Sequence, residues 1–284
     1  MNGVINIYKP KGMTSHDVVS KIRKISGIKK VGHTGTLDPD AKGVLPICIG
    51  KATKLADMLT FSDKRYTALL RLGVVTDTQD LTGNVLFERE VSVTKEEFLN
   101  ATKKFVGEIE QIPPMYSAVK IGGKKLYELA RKGIEVERKP RKITIYGINV
   151  LSFDGKDAKL DISCSKGTYI RTLCHDIGDL LGCGGCMAEL VRTQSSIFKA
   201  EDAVSLDELT SENIEGFLIP PDVLFDFEKI VVTGEVERKI CNGNAAFVPG
   251  ISEGKYYRVY GGNGNFLCIS KGLSGKLTLV KSFF

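Results

Sequence analysis

Gly32-His33-Thr34-Gly35-Thr36-Leu37-Asp38-Pro39-Asp40-Ala41-Lys42-Gly43 is the stretch on which the reading of this chain turns. It holds three glycines, one of the three histidines of the chain and an aspartate set against a proline. Apolar runs lie on both sides, Val4 to Tyr8 upstream and Val44 to Ile49 downstream. The pattern predicts a polar loop held between two buried strands, the way a rigid scaffold presents a reactive group. Pro39 keeps Asp38 out of the helical region, in an extended or turn conformation. The glycines permit tight turns or a close approach of backbone to a ligand. An ordinary Asp-Pro surface turn would carry the same marks, and the surrounding chain has to decide between the two.

Upstream, Gly3 to Tyr8 reads as a strand ending at Lys9-Pro10. Thr14 or Ser15 then caps a helix whose Val18, Val19, Ile22 and Ile25 recur at helical spacing. Its polar face, Lys21, Arg23 and Lys24, runs on to Lys29 and Lys30 and leads positive charge into the loop, where it can meet phosphate. Downstream, Pro46 interrupts the run Val44 to Ile49, which predicts an edge or bulged strand. Gly50-Lys51-Ala52-Thr53 superficially resembles a phosphate-binding P-loop. Its spacing from Gly43 is wrong and Ala52 replaces the metal-binding hydroxyl. A helix through Ala52, Leu55, Ala56 and Leu59 is expected there instead. Strands are expected over Thr67 to Val75 and Val85 to Glu88, joined by the polar loop Thr76 to Asn84. Thr94 and Glu97 form a capping box for a helix buried through Phe98, Ala101 and Phe105.

From Met115 to Lys142 the composition turns basic, with Lys and Arg far outnumbering Glu128, Glu135 and Glu137 and with Tyr116 and Tyr127 interleaved. Gly122-Gly123 marks a hairpin turn. A protruding basic, aromatic segment is what a grip on an RNA backbone needs, with Lys124, Lys125, Arg131 and Lys132 as its candidate contacts. Strands follow at Ile143 to Phe153 and Lys159 to Ser163. Thr168 is the expected cap of a helix running towards Gly182, and Leu190-Val191-Arg192-Thr193 reads as a further strand. Pro220-Pro221 closes the unit. From about Phe225 to Phe284, short alternating runs between Gly-Asn turns predict a small β-rich domain. The whole is a mixed α+β chain without the regular βα alternation of a barrel or dinucleotide fold.

A length of 284 residues suits one large or two smaller domains. With 42% hydrophobic and 26% charged residues the composition is that of a globular protein, and a net charge of +6 suits a polyanionic partner. No apolar run approaches the roughly 18–20 residues of a bilayer span, and Met1-Asn2-Gly3-Val4 does not open a signal segment. A cytoplasmic protein with no membrane association is expected. The seven cysteines are odd in number and scattered, which fits reduced thiols. Cys183 and Cys186 have the spacing of a metal pair, with Cys174-His175 upstream. Without a second pair they predict a Gly-rich turn and no zinc site.

The chemistry open to the loop is narrow. Asp38 and Asp40 alone are a poor metal site. A Ser-His-Asp system lacks its nucleophile elbow, and ordinary glycoside hydrolysis needs two carboxylates. A single carboxylate acting as covalent nucleophile on a nucleoside remains open.

Gly32 to Pro39 with Ala41-x-Gly43 resembles the catalytic motif of the TruB family of pseudouridine synthases. Four further stretches match in order: Val4 to Pro10 with Lys11-Gly12-Met13, Asp63 to Tyr66, Gln111 to Lys120, and Ser165 to Thr172. The resemblance is dense over residues 3–200. It implies a largely antiparallel pseudouridine-synthase sheet flanked by helices, occupying residues 1–224 with an RNA-gripping insertion at about 115–142. A PUA-like RNA-binding domain would occupy 225–284. It also implies a bacterial, stand-alone enzyme that isomerises uridine 55 in the T arm of elongator tRNAs, with no cofactor, metal or obligatory protein partner.

By the same resemblance Asp38 is the nucleophile, towards C1′ or C6 of the target, and Arg171 pairs with it. Tyr66 stacks on the flipped base and helps remove the C5 proton. Tyr169 and the backbone of Leu190 contact substrate, and His33 fills the space that the extruded base leaves. His175 and Val191 depart from the acidic and basic residues of some relatives. Two rivals belong to other classes: a tRNA-binding or folding protein without essential catalysis, and a nucleoside or sugar hydrolase.

Overall fold

A computed structural model describes residues 1–284. Strand β1 (Gly3–Lys9) leads into helix α1 (Ser15–Ser26). Thr14 caps α1 in a reciprocal box: its hydroxyl accepts from the Asp17 N–H at 3.0 Å, and its own N–H donates to the Asp17 carboxylate at 2.8 Å. Gly27 ends the helix in the left-handed conformation. Then come β2 (Val31–His33), β3 (Lys42–Ile49), the short helix α2 (Ala56–Thr60) and β4 (Lys64–Leu72). A hairpin of β5 (Val74–Thr76) and β6 (Val85–Glu88) precedes α3 (Lys95–Lys103), capped by Thr94 and Glu97 as expected. Strand β7 (Gly107–Gln111) opens the basic segment, which folds as β8 (Lys120–Ile121), β9 (Lys124–Lys125) and α4 (Leu126–Ala130), turning at Gly122-Gly123.

The first sheet is completed by β10 (Arg141–Phe153), β11 (Asp157–Cys164), β12 (Gly185–Ser195), β13 (Phe198–Lys199) and β14 (Val204–Ser205), with helix α5 (Ile170–Leu180) between β11 and β12. This sheet runs β14-β1-β3-β12-β4-β11-β10-β7, with β2 on β3 and β13 on β12. All its pairings are antiparallel except β1 with β14 and β3 with β12. The main core joins α1 and α5 to the sheet through Val18, Ile22, Leu173 and Ile177 against Ile5, Ile7, Leu70 and Leu160.

Several elements depart from the sequence reading. Strand β3 is interior, not an edge: β1 pairs along its whole length, while β12 and β2 share its other side. Pro46 fits because its carbonyl accepts from Thr34 on that second side, so its missing N–H points where β3 changes partner from β12 to β2. The expected strand Thr67 to Val75 breaks at Gly73 into β4 and β5, which belong to different sheets. Thr168 does not cap α5: Tyr169 holds the cap position without a side-chain bond, and the Thr168 hydroxyl donates to Ser165 O. Strand β12 extends well beyond Leu190 to Thr193. The glycines beside Cys183 and Cys186 are packing residues. A Cβ on Gly184 would meet Val75 at 2.5 Å, and one on Gly178 of α5 would meet the Gly185 nitrogen at 2.2 Å.

Beyond the second proline pair lie β15 (Glu228–Val232), α6 (Gly234–Cys241), β16 (Ala246–Phe247), β17 (Tyr256–Gly261), β18 (Phe266–Leu273) and β19 (Lys276–Ser282). These strands form a second sheet in the order β15-β17-β18-β19-β16, where a β-rich segment was expected. It has its own small core around Tyr257, Val259 and Leu277. It also shares an apolar cluster with the first sheet: Val4, Val44, Leu55 and Leu59 pack with Phe198, Leu224 and Ile269. No helix is long and apolar enough to cross a membrane.

Candidate active site

Asp38 lies on the crossing from β2 to β3. Pro39 follows it in a turn closed by the Ala41 N–H donating to Asp38 O at 3.1 Å, the turn that Asp-Pro predicts. Three buried side chains pin this crossing. The Ser15 hydroxyl, at the start of α1, accepts from Leu37 N at 2.8 Å and donates to Leu37 O at 3.0 Å. The Lys9 ammonium, fully buried at the end of β1, donates to the carbonyls of Pro10, Met13 and Pro39 at 3.0, 2.6 and 3.0 Å. Burial pulls the Lys9 pKa down to about 8 against the opposing pull of Asp38 and Asp40. Arg192, on β12, donates from Nε to Val44 O at 2.7 Å and from Nη2 to Gly35 O at 3.1 Å.

Gly43 also answers to β12. Its φ is +106°, and a Cβ there would lie 2.2 Å from Arg192 O. The space that this glycine opens is filled by protein backbone, so of the two uses the sequence reading offered, a tight turn or approach to a ligand, Gly43 serves close packing of the chain on itself. Gly32 has no neighbour that a Cβ would meet.

The Asp38 carboxylate meets Arg171 Nε at 3.1 Å. Arg171 is 7% exposed and Asp38 41%, so the aspartate is open to solvent while the arginine backs it. Burial raises the Asp38 pKa, and the Arg171 charge works against that rise. Arg171 has three further partners: Asp80 at 3.5 Å, Thr78 O at 3.1 Å and Tyr116 O at 2.8 Å. The guanidinium is thereby fixed from the Thr76–Asn84 loop and from the root of the basic segment at once.

Tyr66 lies on β4 directly across from Arg192 on β12. It is 8% exposed, and its hydroxyl stands against the Arg192 guanidinium. Burial raises the Tyr66 pKa and the Arg192 charge opposes the rise. His33 ends β2 half-buried, with Nδ1 accepting from Gly35 N at 3.2 Å. Burial lowers its pKa, with the charges of Arg192 and His16 acting the same way, so His33 is a neutral ring suited to filling space. Tyr169 sits two residues before Arg171. Its N–H and C=O are both held by the side-chain amide of buried Gln111, at 2.8 and 3.0 Å. Leu190 is a buried side chain on β12, across from Ala68.

The basic segment touches the site only at its root, where Tyr116 O accepts from Arg171. Lys125 and Arg131 flank the Tyr127 ring at 5.3 and 5.4 Å, and Lys124 and Lys132 are exposed. Of the α1 lysines and arginine, Lys21 pairs with Asp207 and Arg23 donates to Val31 O. A polar concavity of ≈ 580 Å³ lies elsewhere, over Arg65, Tyr146 and Asn149. Its acids are already engaged: Asp161 by Arg65 and Asp63 by the Tyr146 hydroxyl.

Asp80, Arg192, Lys9, Ser15 and Gln111 brace the Asp38–Arg171 pair and its loop, and the sequence reading singled out none of them for the site, although Lys9 and Gln111 lay in stretches matched to the family. Asp80 was placed in a polar turn and Arg192 in an ordinary strand.

Chemically the site offers a half-exposed carboxylate, Asp38, on a guanidinium that a second, more buried carboxylate, Asp80, also meets, with the Tyr66 ring and the buried Arg192 paired across neighbouring strands. Residues 23–170 match the family model described as TruB family pseudouridylate synthase (N terminal domain), and residues 171–218 match tRNA pseudouridylate synthase B C-terminal domain. The chain is similar to tRNA pseudouridine synthase B of Alkaliphilus oremlandii (strain OhILAs), with 53% identity over 87% of this chain and 83% of that one. It is 48% identical to the protein of the same name from Clostridium kluyveri, over the full length of both. Among solved structures it resembles a chain of an H/ACA ribonucleoprotein bound to a substrate RNA containing 2′-deoxyuridine. That match has a TM-score of 0.75 and 27% identity, covering 99% of this chain and 85% of the other. A family-model match over more than half the chain and relatives near 50% identity leave one assignment: the chain belongs to the TruB family of pseudouridylate synthases.

Proposed function

We propose that this protein converts uridine 55 in the T arm of tRNA to pseudouridine in the bacterial cytoplasm, acting alone and without a cofactor. The observation that carries the reading is the Asp38–Arg171 pair at 3.1 Å on a pinned loop, in a chain so similar to tRNA pseudouridine synthases B. The reaction breaks the C1′–N1 bond, turns the base and joins C5 to C1′, which requires a nucleophile and no redox step. Asp38 supplies that nucleophile and Arg171 keeps it aimed, its charge opposing the burial that raises the carboxyl pKa. The target uridine leaves its stack to reach the carboxylate. Tyr66, Tyr169 and Leu190 receive it, and His33 occupies the vacated space.

Lys124, Lys125, Arg131 and Lys132 grip the RNA backbone from the basic segment. Residues 1–224 form the catalytic unit, and 225–284 a PUA-like unit that adds RNA contact. Incubation with an unmodified tRNA transcript, followed by mapping of pseudouridine, tests reaction and site together. Pseudouridine at the T-arm uridine is the expected result. Binding without conversion would favour a tRNA-folding protein, and release of free uracil would favour a hydrolase.

A further inference from the structure

Arg192 is the largest fully buried side chain of the molecule, 1% exposed, and it has no carboxylate partner. A buried cation without a counter-ion is costly. Here carbonyl dipoles alone hold it: Val44 O, Gly35 O and, more distantly, Thr36 O at 3.5 Å. Two of these carbonyls precede Asp38 in the chain and one follows it. The Arg192 backbone adds to the hold, because it pairs in parallel with Gly43 and closes on it too tightly for any Cβ. The remaining neighbour is the hydroxyl of Tyr66, its cross-strand partner.

We propose that Arg192 is a positioning residue of the reaction: one buried guanidinium clamps the loop on both sides of Asp38 and stands against the Tyr66 hydroxyl. It thereby fixes the spacing of nucleophile and ring and favours the anionic oxygen that takes the C5 proton. This rests on the isomerisation proposed above. Once the C1′–C5 bond has formed, C5 still carries its hydrogen. The C5–H bond breaks, its electron pair restores the C5–C6 double bond, and the proton passes to a Tyr66 oxygen that earlier gave its own proton to water. From Tyr66 it returns to water, while the N1–C6 π pair moves onto N1, which takes a proton from water, so the isomerisation needs no further reactant.

The other charged neighbours do not supply this bias. Asp38 from the loop disfavours an anion on Tyr66, and the Cys164 thiol of β11, its pKa raised by burial to about 11, is uncharged at neutral pH. Lys9, His33 and Lys64 lie close enough to feel the Arg192 charge, which lowers the pKa of each. Two of them are committed, Lys9 to the three carbonyls named above and Lys64 to the carbonyls of Thr60 and Ser62. His33 is neutral. Arg192 is the cation set against the hydroxyl.

The test is single-turnover conversion of tRNA transcript by Arg192→Lys from neutral to alkaline pH, with tRNA affinity measured alongside. We expect a loss of about tenfold or more at neutral pH with unchanged affinity, shrinking as pH rises. A fluorinated tyrosine of lower pKa at position 66 should recover part of the rate. An unchanged rate, or a loss equal at every pH that the fluorotyrosine does not relieve, would overturn the inference. If Arg192→Lys does not fold, the fluorotyrosine in the otherwise unaltered chain decides. Its pH profile should move to lower pH, and an unmoved profile rejects the inference. Absence of pseudouridine from the unaltered enzyme would instead overturn the isomerase reading itself, before any variant is compared.

Discussion

Asp38 is poised between burial, which raises its pKa, and Arg171, which lowers it; the net direction is upward. A carboxyl whose folded pKa exceeds its unfolded value costs stability at pH values above the folded pKa. The cost vanishes below the unfolded pKa, where both states are protonated. Asp38→Asn should therefore abolish conversion, by about a thousandfold or more, while the melting temperature at neutral pH stays level or rises. That advantage should fade as the melt is repeated in acid. A clear drop in melting temperature at neutral pH would show that the Arg171 pair outweighs the cost of burial. The rate of the unaltered enzyme should also fall on acidification at a higher pH than an ordinary aspartate would dictate.

Asp38 and Arg171 were legible in the sequence because each sits in a local motif. Asp80 and Arg192 were not, since their importance comes from partners distant in the chain: Arg171, and Gly35, Val44 and Tyr66. An arginine inside an alternating strand looks like any solvent-facing position until the neighbouring strands are known.

Among the elements, the β3–β12 junction is where the loop is anchored, and Gly43 is its narrowest point. Gly43→Ala would place a Cβ against Arg192 O at a φ that side chains rarely adopt. We expect a loss of about 2–4 kcal/mol in stability, read by thermal or urea unfolding. Unaltered stability would mean that β12 can slide away from β3 at no cost. The same junction explains why β3 was read as an edge or bulged strand: Pro46 is tolerated because two short pairings meet beside it, an arrangement invisible in the local pattern. Capping boxes at Thr14 and Thr94 and the Gly122-Gly123 hairpin were legible because their signals span only a few residues.

For the basic segment, charge neutralisation of Lys124, Lys125, Arg131 and Lys132 together should weaken tRNA binding and flatten its dependence on salt by up to the number of phosphate contacts removed. Unchanged affinity and slope, measured by titration at several salt concentrations, would return the segment to ordinary solvated surface. Because Tyr116 O, at its root, holds Arg171, the same variant should leave the acid limb of the rate profile in place once tRNA is saturating.

At the scale of the molecule, the C-terminal sheet is bonded to the segment that carries the loop. Lys51 donates to Phe283 O at 2.8 Å, Lys54 to Ser282 O at 2.7 Å, and Lys281 pairs with Asp57 at 2.7 Å. Beneath these contacts the shared cluster buries Leu55, Leu59, Leu224 and Ile269 almost completely. From α2 the connection continues inward, since the Thr60 hydroxyl reaches Thr34 O, on the crossing that bears Asp38, at 2.8 Å. Removal of residues 225–284 would uncover an apolar face that includes Val44 of β3, the strand that Arg192 ties to the loop. The prediction is that the full chain melts in one cooperative transition. A 1–224 fragment should melt lower and convert saturating tRNA more slowly than the full chain, beyond any loss of affinity. Calorimetry showing two separate transitions, or a fragment with unaltered saturating rate, would mean that the second sheet serves RNA binding alone and leaves the loop to its own pins.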